Sequence, residues 1–557
     1  SANRDLQHVE RQARVMRAAL VRGDVDGARQ ALQEFQEAAD SADATTHGKT
    51  WSVFGAMPLL GDDADGVAVV ADVLADLGRD GLPPVAGAAE ALTADSFQPQ
   101  DGAFPLKQIT AMQEPARRSE QAFADAQTKL AKVDPSGFLG PVAGQFDSLR
   151  NLVDDARNTL DSTYRASRLM PTLLGEKKPR YFLMVLQNNA EIRSTGGLPG
   201  ALSLLRARDG HLDIVDQADM ADIGNATAGL ELPLTKQEKG LFGDILGTVA
   251  ADANLTPDID RAAELIRARW ERATQRQIDG VVFVDPVMVS YLLRGTGPVD
   301  VPGSEPVTSA NVVRSVEHDI YLATPNRKAQ SAYQRAVAKS VFSAFTAGNG
   351  DSVEALRGMV SAVAEGRLRL HFFDRAAQRE IAGTRIAGMF SQRAGHHPQV
   401  GIYLNDAGPT KLQYFLDYQA SLFSRSCGGG EQRLAGSIEF TNKATQNLPP
   451  SVTGEDYPGV SVEPGEQALV VYVTAPRGSQ FVSLSMNGQV VSRPVIVPFD
   501  GGPAVAVRVR LAPKETQTME FEVIADRKQD GDAVLEVTPG AFVGSSNTTV
   551  RSACTRR

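Results

Sequence analysis

The spacing of apolar residues changes twice along the chain, and this constrains the fold more than any single motif. In the first third it is helical. Leu6, Val9, Ala13, Met16 and Leu20, then Val25, Ala28, Leu32 and Phe35, recur every three or four positions around a break at Gly23-Asp24. Val67, Val70, Ala71, Leu74 and Leu77 repeat the pattern, as do Leu149, Leu152, Val153, Ala156, Leu160 and Tyr164. Residues 1–175 therefore read as a helical bundle, a spacer or scaffold with almost no candidate chemistry. From YFLMVL onward, short apolar runs alternate with helical stretches. VVFV reads as a buried strand, DPVMVSYLLRGTG as a helix opened by Asp285, and ALSLLRARDGHLDIVDQ as two strands around an Asp-Gly turn. Residues 176–395 are expected to form an α/β layer domain. From 396 to 557 short strands dominate. Val505, Val507, Val509 and Leu511 lie on one face of AVAVRVRLAP, and the region reads as an antiparallel β-sandwich. The fold class is multidomain α+β.

At 557 residues the chain exceeds what one hydrophobic core usually holds. Its net charge of -10 argues against a general nucleic-acid binder. No apolar run reaches the length of about 18 residues needed to span a bilayer. The two cysteines, Cys427 and Cys554, form no CxxC pair. They are either one disulfide, in an oxidising compartment, or two buried thiols.

The densest polar stretch is QNNAEIRSTGG, directly after the apolar run of the first strand. Asn188, Asn189, Glu191, Arg193 and Thr195 at a strand's C-terminal end occupy the place where α/β sheets put ligand sites. Arg193 suits bidentate phosphate contact, and Gly196 and Gly197 permit close backbone approach. The competing reading is a structural turn locked by internal polar pairs. Asp216, Asp219 and Asp222 offer oxygen ligands, although a solvated acidic loop fits the spacing equally. Glu317, His318, Asp319 and Tyr321 form a second polar cluster, in which His318 is a candidate base and Asp319, its neighbour, is expected to reach it only through the fold. GTGPVDVPGSEP lacks the lysine and following helix of a phosphate loop, and neither GxSxG nor HExxH occurs.

RYFLMVLQNNAEIRSTGGLPG resembles the hallmark of the bacterial domain of unknown function 4012. VGIYLNDAGPTKLQYFLDY, with Asn405, Asp406, Lys411 and Tyr414, is similar to that family's second signature. A more distant similarity runs from QIDGVVFVDPVMVSYLLRGTGPVDVPG into an Arg-containing helix. It resembles the LytR-CpsA-Psr phosphotransferases, which move polyprenyl-pyrophosphate-linked glycopolymers onto the cell wall. This likeness implies Arg193, Arg327 and Arg335 as catalytic phosphate contacts and Asp216 as a Mg²⁺ ligand. Asn188, Asn189, Glu191, Thr195, Gly196 and Gly197 would bind substrate. The chain departs from that pattern where DQADMADIG and EHDIY replace expected arginine motifs. Two functions stay open: a phosphoglycosyl transferase acting on a polyprenyl-linked glycan, or a non-catalytic envelope scaffold binding a glycan, lipid carrier or protein partner. Either implies an extracytoplasmic protein tethered to the bacterial plasma membrane. The chain opens SANRDLQH without a methionine, and the bundle is expected to be a stalk above an N-terminal anchor preceding it.

Overall fold

A computed structural model describes residues 8–554, apart from 10, 17, 20–23, 49–50, 52–60, 92–97, 225, 389–394 and 455–461. The positions Leu6, Leu20 and Gly23 of the first expected helical hairpin fall outside the described residues. The chain is mixed α+β and divides into two compact units, Ser1–Lys178 with Arg208–Gly210, and Pro179–Ala207 with His211–Arg557.

The first unit is built from helices α1 (Val25–Thr46), α2 (Gly61–Asp76), α3 (Pro83–Ala91), α4 (Leu106–Ala111), α5 (Gln113–Leu130) and α6 (Gly140–Leu173). The Asp24 side chain caps α1 by accepting the Gly27 N–H at 2.9 Å. In α5, Ala116, Ser119, Phe123, Ala126 and Leu130 are buried, one stripe at helical spacing. Phe123, Ala126 and Leu130 meet Val73, Leu77, Phe146 and Val153 in one apolar core.

The second unit opens with a five-stranded sheet in the order β3 (His211–Asp219), β2 (Leu198–Arg208), β1 (Arg180–Asn188), β4 (Gly280–Val284), β5 (Leu368–Phe372). β1 pairs parallel with β4 and antiparallel with β2, while β5 runs antiparallel to β4. Asp209 and Gly210 turn β2 into β3 with φ of 51° and 87°, the backbone that an Asp-Gly hairpin provides. One face of β1, Leu183 and Val185, packs on helix α7 (Ile259–Thr274) through Ala262, Ile266 and Trp270. Asp258 caps α7, accepting from the Asp260 and Arg261 N–H groups at 3.1 and 3.3 Å. Leu186, near the end of β1, lines a small cavity together with Pro286 and Val289 of α8 (Pro286–Thr296) and Val337 and Ala338 of α9 (Arg327–Thr346). Helix α10 (Ser352–Glu365) follows, and α11 (Arg375–Ile381) comes directly after β5.

Two further sheets enclose the largest apolar core. One has the order β11 (Gln489–Val490), β10 (Gln480–Met486), β14 (Thr516–Ile524), β8 (Glu431–Asn442), β7 (Leu416–Gly428). The other runs β12 (Ile496–Phe499), β13 (Gly502–Leu511), β9 (Gln467–Thr474), β6 (Gln399–Asp406), β15 (Ala533–Val537), β16 (Thr548–Val550). Ile438, Phe440, Met519 and Phe521 of the first meet Ile402, Leu404, Val505 and Val509 of the second. The sandwich is not wholly antiparallel as expected. β15 lies parallel to β6, because the chain enters it by crossing over from β14 of the other sheet and not by a hairpin from β6. Tyr403, Tyr472, Phe499 and Ala504, on the outer face of the second sheet, join the cluster of Leu183, Ile266 and Trp270. The α/β sheet and the sandwich thus share a continuous interior. Cys427 and Cys554 form a disulfide that ties β7 to the end of the chain.

Candidate functional site

The stretch from Asn188 to Gly197 leaves the end of β1 and turns into β2. It is buried throughout; Asn189 is 0% exposed and Arg193 6%. Backbone chemistry accounts for its glycines. Gly196 has φ of 138°, and a Cβ on Gly197 would lie 2.3 Å from the Asn188 carbonyl. The side chain between the polar groups, Ile192, is fully buried among Val400, Leu434 and Val537 in the sandwich core. The turn is therefore a plug that joins the α/β sheet to the sandwich.

Its polar atoms look inward. Arg193 Nε donates to Asp252 Oδ1 at 3.1 Å, and the same guanidinium reaches the Ile192 carbonyl at 3.1 Å. Burial pulls the Arg193 pKa down, but Asp252, Asp406 and Glu191 more than offset it and the net shift is upward. Glu191 is ion-paired with Lys411. The Ser194 N–H donates to Asn405 Oδ1 at 2.7 Å, and Asn405 Nδ2 continues to the Leu255 carbonyl at 2.9 Å. Thr195 Oγ1 donates to Gln187 Oε1 at 2.6 Å, and Asn254 Nδ2 donates to the Gly197 carbonyl at 2.6 Å. Asn188 Nδ2 donates to the Tyr321 hydroxyl at 2.7 Å. Asp406 takes the Gly408 and Thr410 N–H groups at 3.1 and 3.3 Å, yet burial pushes its pKa up to about 7.

Asn189 links this turn to a second polar knot. Its N–H donates to Glu317 Oε1 at 2.6 Å, and its Nδ2 to Asp285 Oδ2 at 3.3 Å and the Pro539 carbonyl at 3.2 Å. Asp285 caps α8 through the Met288 N–H at 2.8 Å. Arg367, 0% exposed, spreads its guanidinium over Asp285, Glu365 and the carbonyls of Gly540, Phe542 and Gly544, at 2.5–2.9 Å. Five acceptors match the five donors of a guanidinium. Burial disfavours the charge, but the two carboxylates hold the Arg367 pKa above its ordinary value. Glu317 is different. Burial, reinforced by the charge of Asp285, pushes its carboxyl well above the usual range, which favours the protonated form. Its Oε2 has no hydrogen-bond partner among the described residues, and Glu317 is one of the residues lining a cavity of about 40 Å³. That cavity is otherwise mostly apolar, walled by Val289, Val312, Val316 and Val337.

The remaining candidate residues lie with separate partners. Arg335 is ion-paired with Asp219, the middle of the three aspartates. Asp216 Oδ2 meets Arg276 at 2.7 Å. Arg327 is exposed at the start of α9. Neither Arg193, Arg327 nor Arg335 lines the cavity. Among the described residues no three His, Cys, Asp or Glu side chains gather to hold a metal ion, and Asp216 is ion-paired with Arg276. His318 Nδ1 lies 2.7 Å from Asp319 Oδ1, so these neighbours pair directly, contrary to the expectation from sequence. The imidazole stacks on Tyr414 with centroids 4.9 Å apart.

Arg367, Asp252 and Asn254 were not singled out from the sequence. Arg367 had a signal. In GRLRLHF, basic residues alternate with leucines across a strand, and Arg367, Arg369 and His371 are all buried. Each meets an acid: Asp285 at 2.8 Å, Glu536 at 3.1 Å and Asp260 at 2.8 Å.

The architecture defines a class: an α/β sheet plugged into a β-sandwich through a buried polar turn. Residues 177–321, which contain β1, the turn and the Glu317 cluster, match the model of a family described as protein of unknown function (DUF4012). The family likeness read from QNNAEIRSTGG is thus supported over that segment. No curated protein and no solved structure matches the chain.

Proposed function

We propose that this chain is a non-catalytic scaffold of the bacterial cell envelope, built on a central layer related to the LytR-CpsA-Psr phosphotransferases and displaying its β-sandwich to a glycan or protein partner. The observation that carries the reading is the state of Arg193. The arginine expected to meet a pyrophosphate is buried against Asp252 and consumed in joining two layers. A transferase of that type needs cations converging on an accessible phosphate. Here Arg335 and Asp216 are paired elsewhere. The cavity beside the turn, about 40 Å³, holds roughly three waters at ~10–15 Å³ each and is far too small for a polyprenyl chain. The Cys427–Cys554 disulfide supports placement outside the cytoplasm, where such bonds persist. No helix among the described residues is long and apolar enough to cross a membrane.

The test is incubation of the purified protein with a polyprenyl-pyrophosphate-linked glycan and a peptidoglycan acceptor, with and without Mg²⁺. No transfer is expected under either condition, and Arg335→Gln should behave as the wild type. Mg²⁺-stimulated transfer that Arg335→Gln abolishes, in a variant that unfolds at the wild-type temperature, would establish the enzyme instead.

A further inference from the structure

A cleft of about 650 Å³ opens between α7, the end of β5 and α11. It lies at the opposite end of the sheet from the polar turn. Phe372, at its base, pairs with Gly280, and Gly280 with Phe182 near the start of β1, whereas the turn follows Asn188 at the far end. The strand between them spans roughly 20 Å at ~3.3 Å per residue.

α7 contributes Glu264, Arg267, Ala268 and Glu271 to one wall; α11 and the residue after it contribute Arg375, Gln378, Arg379 and Ala382 to the other. Both sets run i, i+3, i+4, i+7, a single helix face directed into the cleft. Both acids have an arginine partner, and the Arg261 that meets Glu264 also meets Glu238 at 2.7 Å. Glu264 meets Arg261 at 3.1 Å, and Glu271 meets Arg267 at 2.9 Å. The Arg267 guanidinium also lies over the Phe373 ring, 4.3 Å from its centroid, and is fixed there. Arg375 and Arg379 are exposed and have no ion pair among the described residues. Arg375 and Arg379 thus bring two exposed guanidinium groups to a cleft that Glu264 and Glu271 also line, in a chain whose net charge is -10.

At the floor, Asp260 Oδ1 accepts from Gln378 Nε2 at 3.0 Å and lies 2.8 Å from His371 Nδ1. The carboxylate assigns the Nδ1 proton and leaves Nε2 as the ring nitrogen with no hydrogen bond among the described residues. A carboxylate-oriented imidazole, two free arginines and an apolar wall of Leu232, Phe372 and Phe373 make a site of the size that takes small molecules, ~300–1,000 Å³. We infer that this cleft binds a phosphate ester of sugar size, with Arg375 and Arg379 holding the phosphate and His371 Nε2 hydrogen-bonding the group it esterifies. Two guanidinium groups four residues apart on one helix face suit a dianion better than a monoanion. The inference stands independently of the scaffold reading.

The experiment is calorimetric titration of the full chain with glucose 1-phosphate, with glucose as the neutral control, and sedimentation with phosphatidylcholine vesicles with and without phosphatidylglycerol. The comparison protein is R375E/R379E, two exposed changes whose thermal unfolding should match the wild type. Saturable binding of glucose 1-phosphate, absent for glucose and weakened about tenfold or more by the double reversal, is the expected result. Reversal-sensitive binding to the phosphatidylglycerol vesicles alone would overturn the site, since that phosphodiester is a monoanion and reversing two exposed arginines weakens attachment to any anionic surface. Binding of neither probe, binding that the reversal leaves unchanged, or equal binding of glucose would overturn the inference.

Discussion

The two ends of the α/β sheet treat their charged groups in opposite ways. Beyond β1, Arg193, Glu191, Asp285 and Arg367 are buried and paired. Beyond β5, Arg375 and Arg379 are exposed and make no ion pair among the described residues. A high density of polar residue types next to a strand therefore marks, in this protein, the place where two layers must be joined through a polar interior. The end with fewer and more ordinary polar residues is the one whose arginines are exposed. Burial has a physical consequence that exposure lacks: a buried ion must keep its partner, so each such residue becomes part of the fold.

The largest effect should come from breaking the Arg367 knot. Arg367→Ala leaves Asp285 fully buried without its cation and strips three carbonyls of a donor. A loss of about 5 kcal/mol, at the top of the range for breaking a buried pair, or failure to fold is expected in urea unfolding. Arg193→Ala should cost less, about 3 kcal/mol, because it orphans Asp252 and a single carbonyl. Ile192→Ala belongs with it, at about 3 kcal/mol, since it empties a position in the sandwich core. An Arg193→Ala protein as stable as the wild type would return the turn to the list of candidate ligand sites.

Much of this architecture was legible because its signals are local. The Asp209-Gly210 hairpin, the Asp285 cap, and the face of Val505, Val509 and Leu511 depend on neighbours within a few positions. The partners in the turn do not. Arg193 finds Asp252, and Ser194 finds Asn405, across 59 and 211 residues. No spacing rule links such positions, so composition alone could not separate a floor from a seam. The parallel pairing of β15 with β6 was hidden for the same reason. The cleft was illegible because its residues come from α7, β5 and α11, each of which reads as an ordinary helix or strand.

Acidity offers a finer test of the buried end. Asp406 keeps its proton to about 7 in the folded protein because it is buried, against an ordinary value of 3.8. Between those pH values the folded state binds more protons than the unfolded state. The contribution is fully present below about pH 4 and is lost as pH rises to about 7. Each pKa unit corresponds to ~1.4 kcal/mol, giving a ceiling of ~4 kcal/mol, and relaxation of the site should reduce this to ~2 kcal/mol. Asp406→Asn retains an acceptor for the Gly408 and Thr410 N–H groups and removes the titration. The wild-type stability minus that of Asp406→Asn should therefore fall by about 2 kcal/mol from pH 4 to pH 7 in urea titrations. A flat difference would mean that water reaches Asp406 and that the buried end is wetter than its packing implies.

The smallest expected effect completes the contrast. If the open end keeps its arginines for a ligand, removing them should leave the fold indifferent. R375E/R379E should change the unfolding free energy by less than about 0.5 kcal/mol, the usual limit for exposed sites. There is even a reason for a slight loss rather than none: Arg375 begins α11, whose Asp374 cap accepts the Ala377 N–H at 2.9 Å, and a second acid beside that cap adds repulsion. Glutamate in a helix's first turn, however, is favoured by the helix dipole, and the two terms are of similar size. A loss above 2 kcal/mol would show that these arginines hold the structure as Arg193 does. The distinction between the two ends of the sheet would then be one of depth alone, not of use.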